Sequence, residues 1–320
     1  MPSIRDVAKK ANVSIGTVSR ALRGIGYLSD DITSRVSEAA DELGYIASYN
    51  AQQLKSYSPE KTVGIIISET TNEYFYRVIA MLKAKLSIQN IRLIVTYSMS
   101  ESEEEERNIK YLISNRVSAI IFIPNSSKNK KTLQLAIKNN IKVIQLFVKA
   151  YENLNTVIND DEQGTALAAK YLMEVGCSSI LLLDAPYKNL DTKSIVPNRR
   201  KSFLATIKDN IRHLCVSFDP YCDTDNNLQE LTNIIYDFRP DGIIAGIGPT
   251  GQLIARLLFE KKYTAKFVAF DDNDWYDCYG ITAVKQDTNK VVDSIYELVM
   301  SDSATPQFYR VSEKLIIRNT

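Results

Sequence analysis

Apolar residues recur at helical spacing three times within the first 45 positions of this 320-residue chain. The predicted helices span Ser3 to about Lys10, Ser14 through Leu22, and Ser29 through Leu43. Each begins at a serine that can cap the first turn. A turn of three to four residues between the first two helices is typical of a helix-turn-helix. Three helices of this kind can enclose one small core.

Beyond about residue 60, short apolar runs alternate with stretches of helical periodicity. The runs lie at 63–67, 92–96, 119–123, 143–146, 180–183, 242–245 and 266–270. This alternation predicts parallel sheets covered by helices. Sheets of this class bind ligands beyond the carboxyl ends of their strands, so that edge is the expected ligand site.

The charge of the first 29 residues differs from that of the whole chain, whose net charge is +1. One acidic residue, Asp6, stands against Arg5, Lys9, Lys10, Arg20 and Arg23. Phosphate groups of a duplex would be attracted to such a segment. For the basic residues alone, an ordinary solvated surface is the favoured interpretation.

Three strings of residues distinguish these interpretations. Asp6 to Ala8, Val13 to Arg20 and Glu42 to Tyr45 resemble, in order and spacing, the signature of the lactose-repressor (LacI/GalR) family of transcriptional regulators. The resemblance implies an α/β protein with an N-terminal three-helix helix-turn-helix head. It also implies a periplasmic-binding-protein-like core of two doubly wound α/β subdomains.

The resemblance assigns DNA contacts to the second helix. Base edges would be faced by Ile15, Gly16 and Arg20, and phosphates would be approached by Ser14, Thr17 and Ser19. Because Ile15 and Gly16 have no side-chain hydrogen-bonding group, direct readout there would rest on apolar contact, such as that with a thymine methyl. A phosphate contact is expected at Arg23.

Residues 47–59 resemble the hinge of the family, with a short helical core from Asn50 to Leu54. In the family the hinge folds on the operator, and the residue matching Leu54 wedges a base step open from the minor groove. Lys55 would lie beside it. The alternative interpretation of Leu54 is a buried linker leucine.

The resemblance also divides the chain into domains. These are a DNA-binding domain at 1–46, a hinge and linker at 47–59, and an effector-binding and dimerisation domain at 60–320. Crossovers near 157–161, 283–287 and 309–312 would separate an N-subdomain of about 60–158 and 286–310 from a C-subdomain of about 159–284 and 311–320. One small head contacts too little DNA, so a homodimer on a palindromic operator is expected.

Six side chains are assigned to an effector cleft between the subdomains. They are Asn72, Tyr74, Phe75, Arg199, Asp271 and Trp275. By resemblance, Arg199 and Asp271 would hydrogen-bond a polar ligand, while Trp275 either stacks on a sugar ring or packs between the lobes. A strand-end aspartate is as often a helix cap or turn former, and an arginine in a basic cluster is more often a solvated charge or a structural ion pair than a ligand contact.

One departure from the family bears on the ligand. Sugar-responsive members carry Asn-Asp where this chain has Ile247 and Gly248, so those polar groups are missing. The glycines of 246–251 could bring backbone amides to a ligand, or could form a flexible loop. A sugar, a sugar phosphate and no small ligand all remain open.

The sequence offers little for catalysis or metal binding. Its single histidine, His213, cannot build a histidine-rich metal site, and no nucleophile motif surrounds it. The four cysteines lack metal-site spacing and indicate free thiols in a reducing cytoplasm. We therefore expect no cofactor, no enzymatic activity and, without a long apolar stretch, no membrane partner.

The sequence predicts a cytoplasmic regulator, a repressor, that binds operator DNA as a homodimer under the control of a cleft ligand. Two alternatives stay open at this point. One is a regulator controlled by a protein partner, and the other is a solute-binding or enzymatic α/β protein whose head has no functional role. The residues do not fix whether a ligand releases DNA or promotes its binding.

Overall fold

The computed structural model describes residues 2–22, 26–45, 61–68, 72–184, 199–219, 224–261, 263–303 and 305–319. The chain forms two compact units that divide between Glu60 and Lys61. The first unit contains the predicted head, and the second contains the predicted core. The hinge interpretation of residues 47–59 lies outside the described residues.

The first unit folds into the three predicted helices, α1 (Ile4–Lys10), α2 (Ile15–Ala21) and α3 (Asp30–Leu43). Each helix begins with a capping interaction that involves the predicted serine. The Asp6 carboxylate accepts hydrogen bonds from the backbone and hydroxyl of Ser3, both at 2.7 Å. The hydroxyl of Ser14 accepts from the Thr17 amide, and that of Ser29 caps the start of α3. Short local signals therefore fix where each helix begins.

The core of the head draws one apolar stripe from each helix. Val7, Val18 and Val36 have no exposed side-chain surface, and small alanines of α1 and α3 pack around them. Within α3, the buried residues Val36, Ala39 and Ala40 lie at helical spacing, which is the pattern that predicted this helix. The opposite face of α2 is thereby left to solvent.

The second unit consists of two lobes. The sheet of lobe 1 contains β1 (Thr62–Ile67), β2 (Arg92–Tyr97), β3 (Ala119–Phe122), β4 (Lys142–Leu146), β5 (Asn155–Asn159) and β11 (Phe308–Val311). Their order is β11-β5-β4-β3-β1-β2, and all pairs are parallel. One face is covered by α4 (Glu73–Ile88) and α12 (Thr288–Met300), the other by α5 (Ser102–Ser114) and α6 (Lys130–Lys138).

The sheet of lobe 2 contains β6 (Ser179–Asp184), β7 (Arg212–Ser217), β8 (Gly242–Ala245), β9 (Lys266–Phe270), β10 (Thr282–Gln286) and β12 (Glu313–Ile316). Their order is β12-β10-β9-β8-β6-β7. One face carries α7 (Asp161–Glu174) and α8 (Arg199–Thr206). The other carries α9 (Thr224–Phe238), α10 (Gly248–Lys261) and the short α11 (Tyr276–Tyr279). The predicted architecture of two doubly wound α/β subdomains is confirmed.

One strand departs from the expectation of wholly parallel sheets, because β12 pairs antiparallel with β10. The chain leaves lobe 2 along β10 and re-enters it along β12, so the two strands run in opposite directions. The chain passes between the sheets at Asp160, Asp287 and Ser312, which lie within the three ranges expected for crossovers. No helix of the described residues is long and apolar enough to cross a bilayer.

Candidate DNA-binding surface and effector cleft

The exposed face of α2 carries the residues predicted to contact DNA. Ile15 is 46% exposed, and Arg20 is exposed about one turn further along. A Cβ at Gly16 would meet only the Ser14 hydroxyl at 3.7 Å, so the backbone of this face is open to close approach. The surface can therefore offer apolar contact at its start and one cationic donor beyond it.

The polar residues of α2 are partly engaged with each other. The hydroxyl groups of Ser14 and Thr17 lie 2.9 Å apart, and Ser14 also caps the helix. Ser19 is half-buried on the same helix. Asn12, with φ +51°, makes the tight turn that brings α2 against α1. These hydroxyl groups are held in fixed positions at the edge of the predicted interface.

The predicted basic residues of the head are not equivalent. Arg5 and Lys9 are exposed, whereas Lys10 forms an ion pair with Glu42 of α3. The charge of Lys10 is thus partly neutralised within the head. Four other predicted contacts, Arg23, Asn50, Leu54 and Lys55, lie outside the described residues.

In the second unit, the carboxyl ends of the two sheets meet at a direct contact between lobes. Asn72 caps α4 by accepting from the Tyr74 amide at 3.0 Å, and its side-chain amide donates to the Asp271 carboxylate at 3.4 Å. Asp271 follows β9 directly with φ +61°, a left-handed conformation that is uncommon outside glycine. Two predicted effector residues therefore touch each other across the cleft.

The Asp271 carboxylate is also held from two sides within lobe 2. It accepts from the Gly248 amide at 3.0 Å and from the Gln286 side chain at 2.8 Å. The Gly248 amide was one of the groups expected to reach a ligand, and it is instead bound to Asp271. A Cβ at position 248 would lie 3.3 Å from that carboxylate, so glycine permits the close approach. The carboxylate thus holds the first residue of α10 against β9.

Aromatic side chains form one wall of the cleft in lobe 1. Tyr74 is buried, and its hydroxyl lies 3.2 Å from the side-chain oxygen of Asn159 at the end of β5. The rings of Phe75 and Phe147 are stacked, with centroids 5.2 Å apart and planes within 6°. Phe147 follows β4 with φ +61°. A flat apolar surface of this kind suits the face of a sugar or another ring.

Arg199 is buried at the start of α8. It pairs with the carboxylate of Asp161, and its guanidinium lies 4.5 Å from the centre of the Phe270 ring. Burial raises the pKa of Asp161 above its ordinary value, although the positive charge of Arg199 acts in the opposite direction. The arginine expected to contact an effector therefore also stabilises a buried carboxylate at the first crossover.

Trp275 lies half-buried against the apolar cluster of lobe 2. Its ring meets Tyr276 edge to face at 4.5 Å and Tyr279 at 5.9 Å. Packing is thus the role that these contacts support, and a stacking role with a ligand stays a prediction. His213 is exposed, with its ring edge-on to Phe203.

The structure adds residues to the cleft that sequence reasoning missed. Phe147, Asn159 and Gln286 all lie at or directly after the carboxyl end of a strand, where ligands of this fold class are bound. What identifies these three residues in the sequence is their position at the end of a strand, not their residue type. That position can be recognised for Asn159 and Gln286 only after β5 and β10 have been identified as strands.

Family models match both units of the chain. Residues 3–48 match the model described as bacterial regulatory proteins of the lacI family. Residues 60–247, more than half of the chain, match the model for periplasmic binding proteins and the sugar-binding domain of the LacI family. The chain belongs to the LacI family. This LacI-family protein is a DNA-binding regulator, which confirms the prediction made from its first 45 residues.

Individual relatives agree along most of the sequence. The sucrose operon repressor of Lactococcus lactis subsp. lactis is 26% identical over 308 residues, covering 94% of this chain and 93% of that protein. The ribose operon repressor of Halalkalibacterium halodurans is 28% identical, covering 77% and 71%. Both relatives are named as repressors of carbohydrate operons.

Solved structures show the same fold. The Lac repressor bound to ONPG in its repressed state superposes with a TM-score of 0.71 at 22% identity, covering 99% of this chain and 98% of that one. A LacI-family regulator from Weissella paramesenteroides with bound sucrose gives a TM-score of 0.70 at 19% identity, covering 81% and 98%. At these identities the likeness establishes the fold.

Proposed function

We propose that this LacI-family protein is a transcriptional repressor that binds a palindromic operator as a homodimer. A small ligand held between the two lobes controls it. The observation that carries the proposal is the convergence of strand-end side chains from both lobes, where Asn72 of lobe 1 meets Asp271 of lobe 2 at 3.4 Å. Such a site lets a ligand bind two arrangements of the lobes with different affinity.

A carbohydrate, either a sugar or a sugar phosphate, is the ligand class we propose. Relatives named as sucrose and ribose operon repressors support it, as does the structural neighbour with bound sucrose. The stacked rings of Phe75 and Phe147 offer an apolar platform beside polar groups, as sugar sites require. The proposed role is binding without catalysis, and because the target is chromosomal DNA, the proposed location is the cytoplasm.

The residue roles are part of the proposal. DNA would be contacted by Ser14, Ile15, Gly16, Thr17, Ser19, Arg20, Arg23, Asn50, Leu54 and Lys55. The effector would be contacted by Asn72, Tyr74, Phe75, Arg199, Asp271 and Trp275. The proposed domain limits are 1–46, 47–59 and 60–320.

The test begins with selection of bound duplexes from a random pool by the purified full-length protein. The enriched duplex is then titrated against sugars and sugar phosphates, with the wild type and with D271N. The matched control is D237N, which changes an exposed aspartate of α9. We expect an enriched palindrome whose affinity changes with one compound, an effect lost in D271N and kept in D237N.

Three other outcomes would change the proposal. An enriched palindrome that is indifferent to every compound would favour control by a protein partner. Equal ligand responses in D271N and D237N would remove Asp271 from the effector site. Failure to enrich any duplex would refute the operator-binding role itself.

A further inference from the structure

The three crossovers between the lobes are tied together at their lobe 2 ends. Asp161 begins α7 just after the first crossover, Gln286 ends β10 just before the second, and Glu313 begins β12 just after the third. Gln286 and Glu313 are register partners in the antiparallel pair. The Glu313 amide donates to the side chain of Gln163 on α7 at 3.0 Å. Any rotation of one lobe against the other must bend the chain at the crossovers, directly beside these residues.

The side chains at this junction are buried and polar, and three of them are ionisable. We call Asp161, Arg199, Gln286 and Glu313 the crossover cluster. Their exposed fractions are 8%, 6%, 4% and 2% in that order. Asp161 and Arg199 form an ion pair, and Gln286 donates to Asp271. Three members of the cluster therefore have a polar partner for their side chain.

The fourth member differs. Neither carboxylate oxygen of Glu313 has a hydrogen-bond partner among the described residues. The carboxylate lies directly against the backbone of α7, so close that a Cβ at Gly164 could not fit beside it. The absence of a side chain at position 164 leaves the space that Glu313 fills. An ionised carboxylate with no donor is costly to bury.

Burial and most of the neighbouring charges raise the pKa of Glu313. Burial comes first, and the carboxylates of Asp161, Asp271 and Asp160 add to it, so the pKa of Glu313 is raised well above its ordinary value. Arg199 alone among the principal neighbours lowers the pKa. On the strands themselves, Lys285 and Lys314 are exposed and alternate with Gln286 and Glu313, which places them on the opposite face of the sheet.

We propose that Glu313 is a proton-dependent lock of the crossovers: the neutral carboxyl fits between α7 and β10, and loss of its proton loosens the three crossovers together. The arrangement of the lobes seen here is then stable only while Glu313 carries its proton. Ionisation favours any arrangement in which the carboxylate reaches water or a donor. Proton binding and lobe arrangement are linked equilibria.

The sign of the pH dependence follows from this linkage. The pKa of Glu313 is higher in this arrangement than in an opened one, so the stabilisation is complete at low pH and is lost as pH rises through the raised pKa. For one proton, the equilibrium for local opening increases by up to about tenfold per pH unit between the pKa of the opened arrangement and the raised pKa, and it levels off above the raised pKa. The effect on operator binding rests on the proposed repressor function.

Hydrogen exchange at the crossovers tests the lock in the full-length protein. The amide of Asp160, which donates to the Val311 carbonyl at 2.8 Å, and the amide of Glu313 report local opening. Wild type, E313Q and E174Q are compared at matched pH between about pH 6 and about pH 9, so intrinsic exchange rates cancel. The control E174Q changes an exposed glutamate of α7, and E313M supplies a second variant that cannot ionise.

We expect crossover amides of the wild type to exchange increasingly faster than those of E313Q and E313M as pH rises, with E174Q following the wild type. Operator affinity of the wild type and E313Q should diverge over the same range. Parallel exchange in the wild type and E313Q would overturn the lock, even if the protein binds its operator normally. A protein that shows the exchange difference but binds no duplex would retain the lock and lose the proposed repressor function.

Discussion

Glu105 of α5 allows a sharp test of the electrostatics of lobe 1. Its carboxylate is buried without exposed surface, and it accepts from the Asn125 amide at 2.7 Å and from the Asn129 side chain at 2.8 Å. Burial raises the pKa of Glu105 from 4.5 to about 7, although both hydrogen bonds lower it. The cost of desolvation is therefore larger than the gain from two donors.

The magnitude follows from linkage. One pKa unit corresponds to about 1.4 kcal/mol, so the ionised form of Glu105 destabilises the folded protein by about 3 kcal/mol relative to its neutral form. Because the folded pKa is raised, this contribution is favourable below about pH 4.5 and is lost as pH rises through about 7. The free energy of unfolding of the wild type should fall by that amount relative to E105Q over this window.

Urea unfolding followed by circular dichroism, at several pH values from about 5 to about 8, measures this difference. Glutamine carries no titratable proton, and its amide meets the donor of Asn129, so a constant offset of about 1 kcal/mol between the variants is expected. The slope with pH is the quantity that tests the reasoning. E103Q, an exposed neighbour on the same helix, should follow the wild type. If the wild type and E105Q give parallel lines, Glu105 does not titrate with a raised pKa and the argument is wrong.

Three further predictions use other parts of the chain. R20A should weaken operator binding by about 1–3 kcal/mol without lowering thermal stability, as measured by fluorescence anisotropy and calorimetry; an unchanged Kd would contradict the base-reading role. R199A should cost about 3–5 kcal/mol of stability in urea unfolding because it leaves Asp161 buried without its cation, and a loss below about 1 kcal/mol would show that the pair is dispensable. G164A should destabilise by about 1–3 kcal/mol through its clash with Glu313, and the loss should be smaller in an E313A background; additive losses would mean that the two positions are not coupled.

The head was predictable because its signals are local. Ser14 and Ser29 cap the helices that their positions predicted, and the buried residues of α3, Val36, Ala39 and Ala40, follow the helical period. No long-range information is required for a cap or an apolar stripe. The ion pair of Lys10 with Glu42 was not predictable in the same way, because it joins different helices whose packing must be known first.

Strands that form continuous apolar runs were also predictable, whereas the edge strands β7 and β11 were not. β8 and β9 were assigned to the residue because both are nearly continuous apolar runs buried on both faces. β7, with four exposed residues among its six, and β11, with only Val311 buried, lack such a run. Their strand conformation comes from pairing with a neighbour, which is tertiary information.

The candidate cleft shows the same division between local and long-range information. Strand-end position and family resemblance indicated Asp271, but the three donors that occupy its carboxylate come from distant parts of the chain, including Asn72 of the other lobe. No pattern in the sequence indicated that Glu313 is buried. It lies in a short edge strand, and its burial depends on the space left by a glycine about 150 positions earlier.

Two of the three crossovers are built in the same way, and the third differs. Asp160 follows β5 and caps α7 by accepting from the Gln163 amide, and Asp287 follows β10 and caps α12 by accepting from the Lys290 amide. Each of these aspartates fixes the direction in which a helix leaves one lobe and enters the other.

The third crossover has no helix and no cap, because β11 leads into β12 through one residue. Its direction is set by pairing with β5 on one side and β10 on the other, so the two capped crossovers are mechanically joined through it. A charge placed at the start of β12 therefore acts on all three connections at once, which is the property that a two-state element between lobes requires.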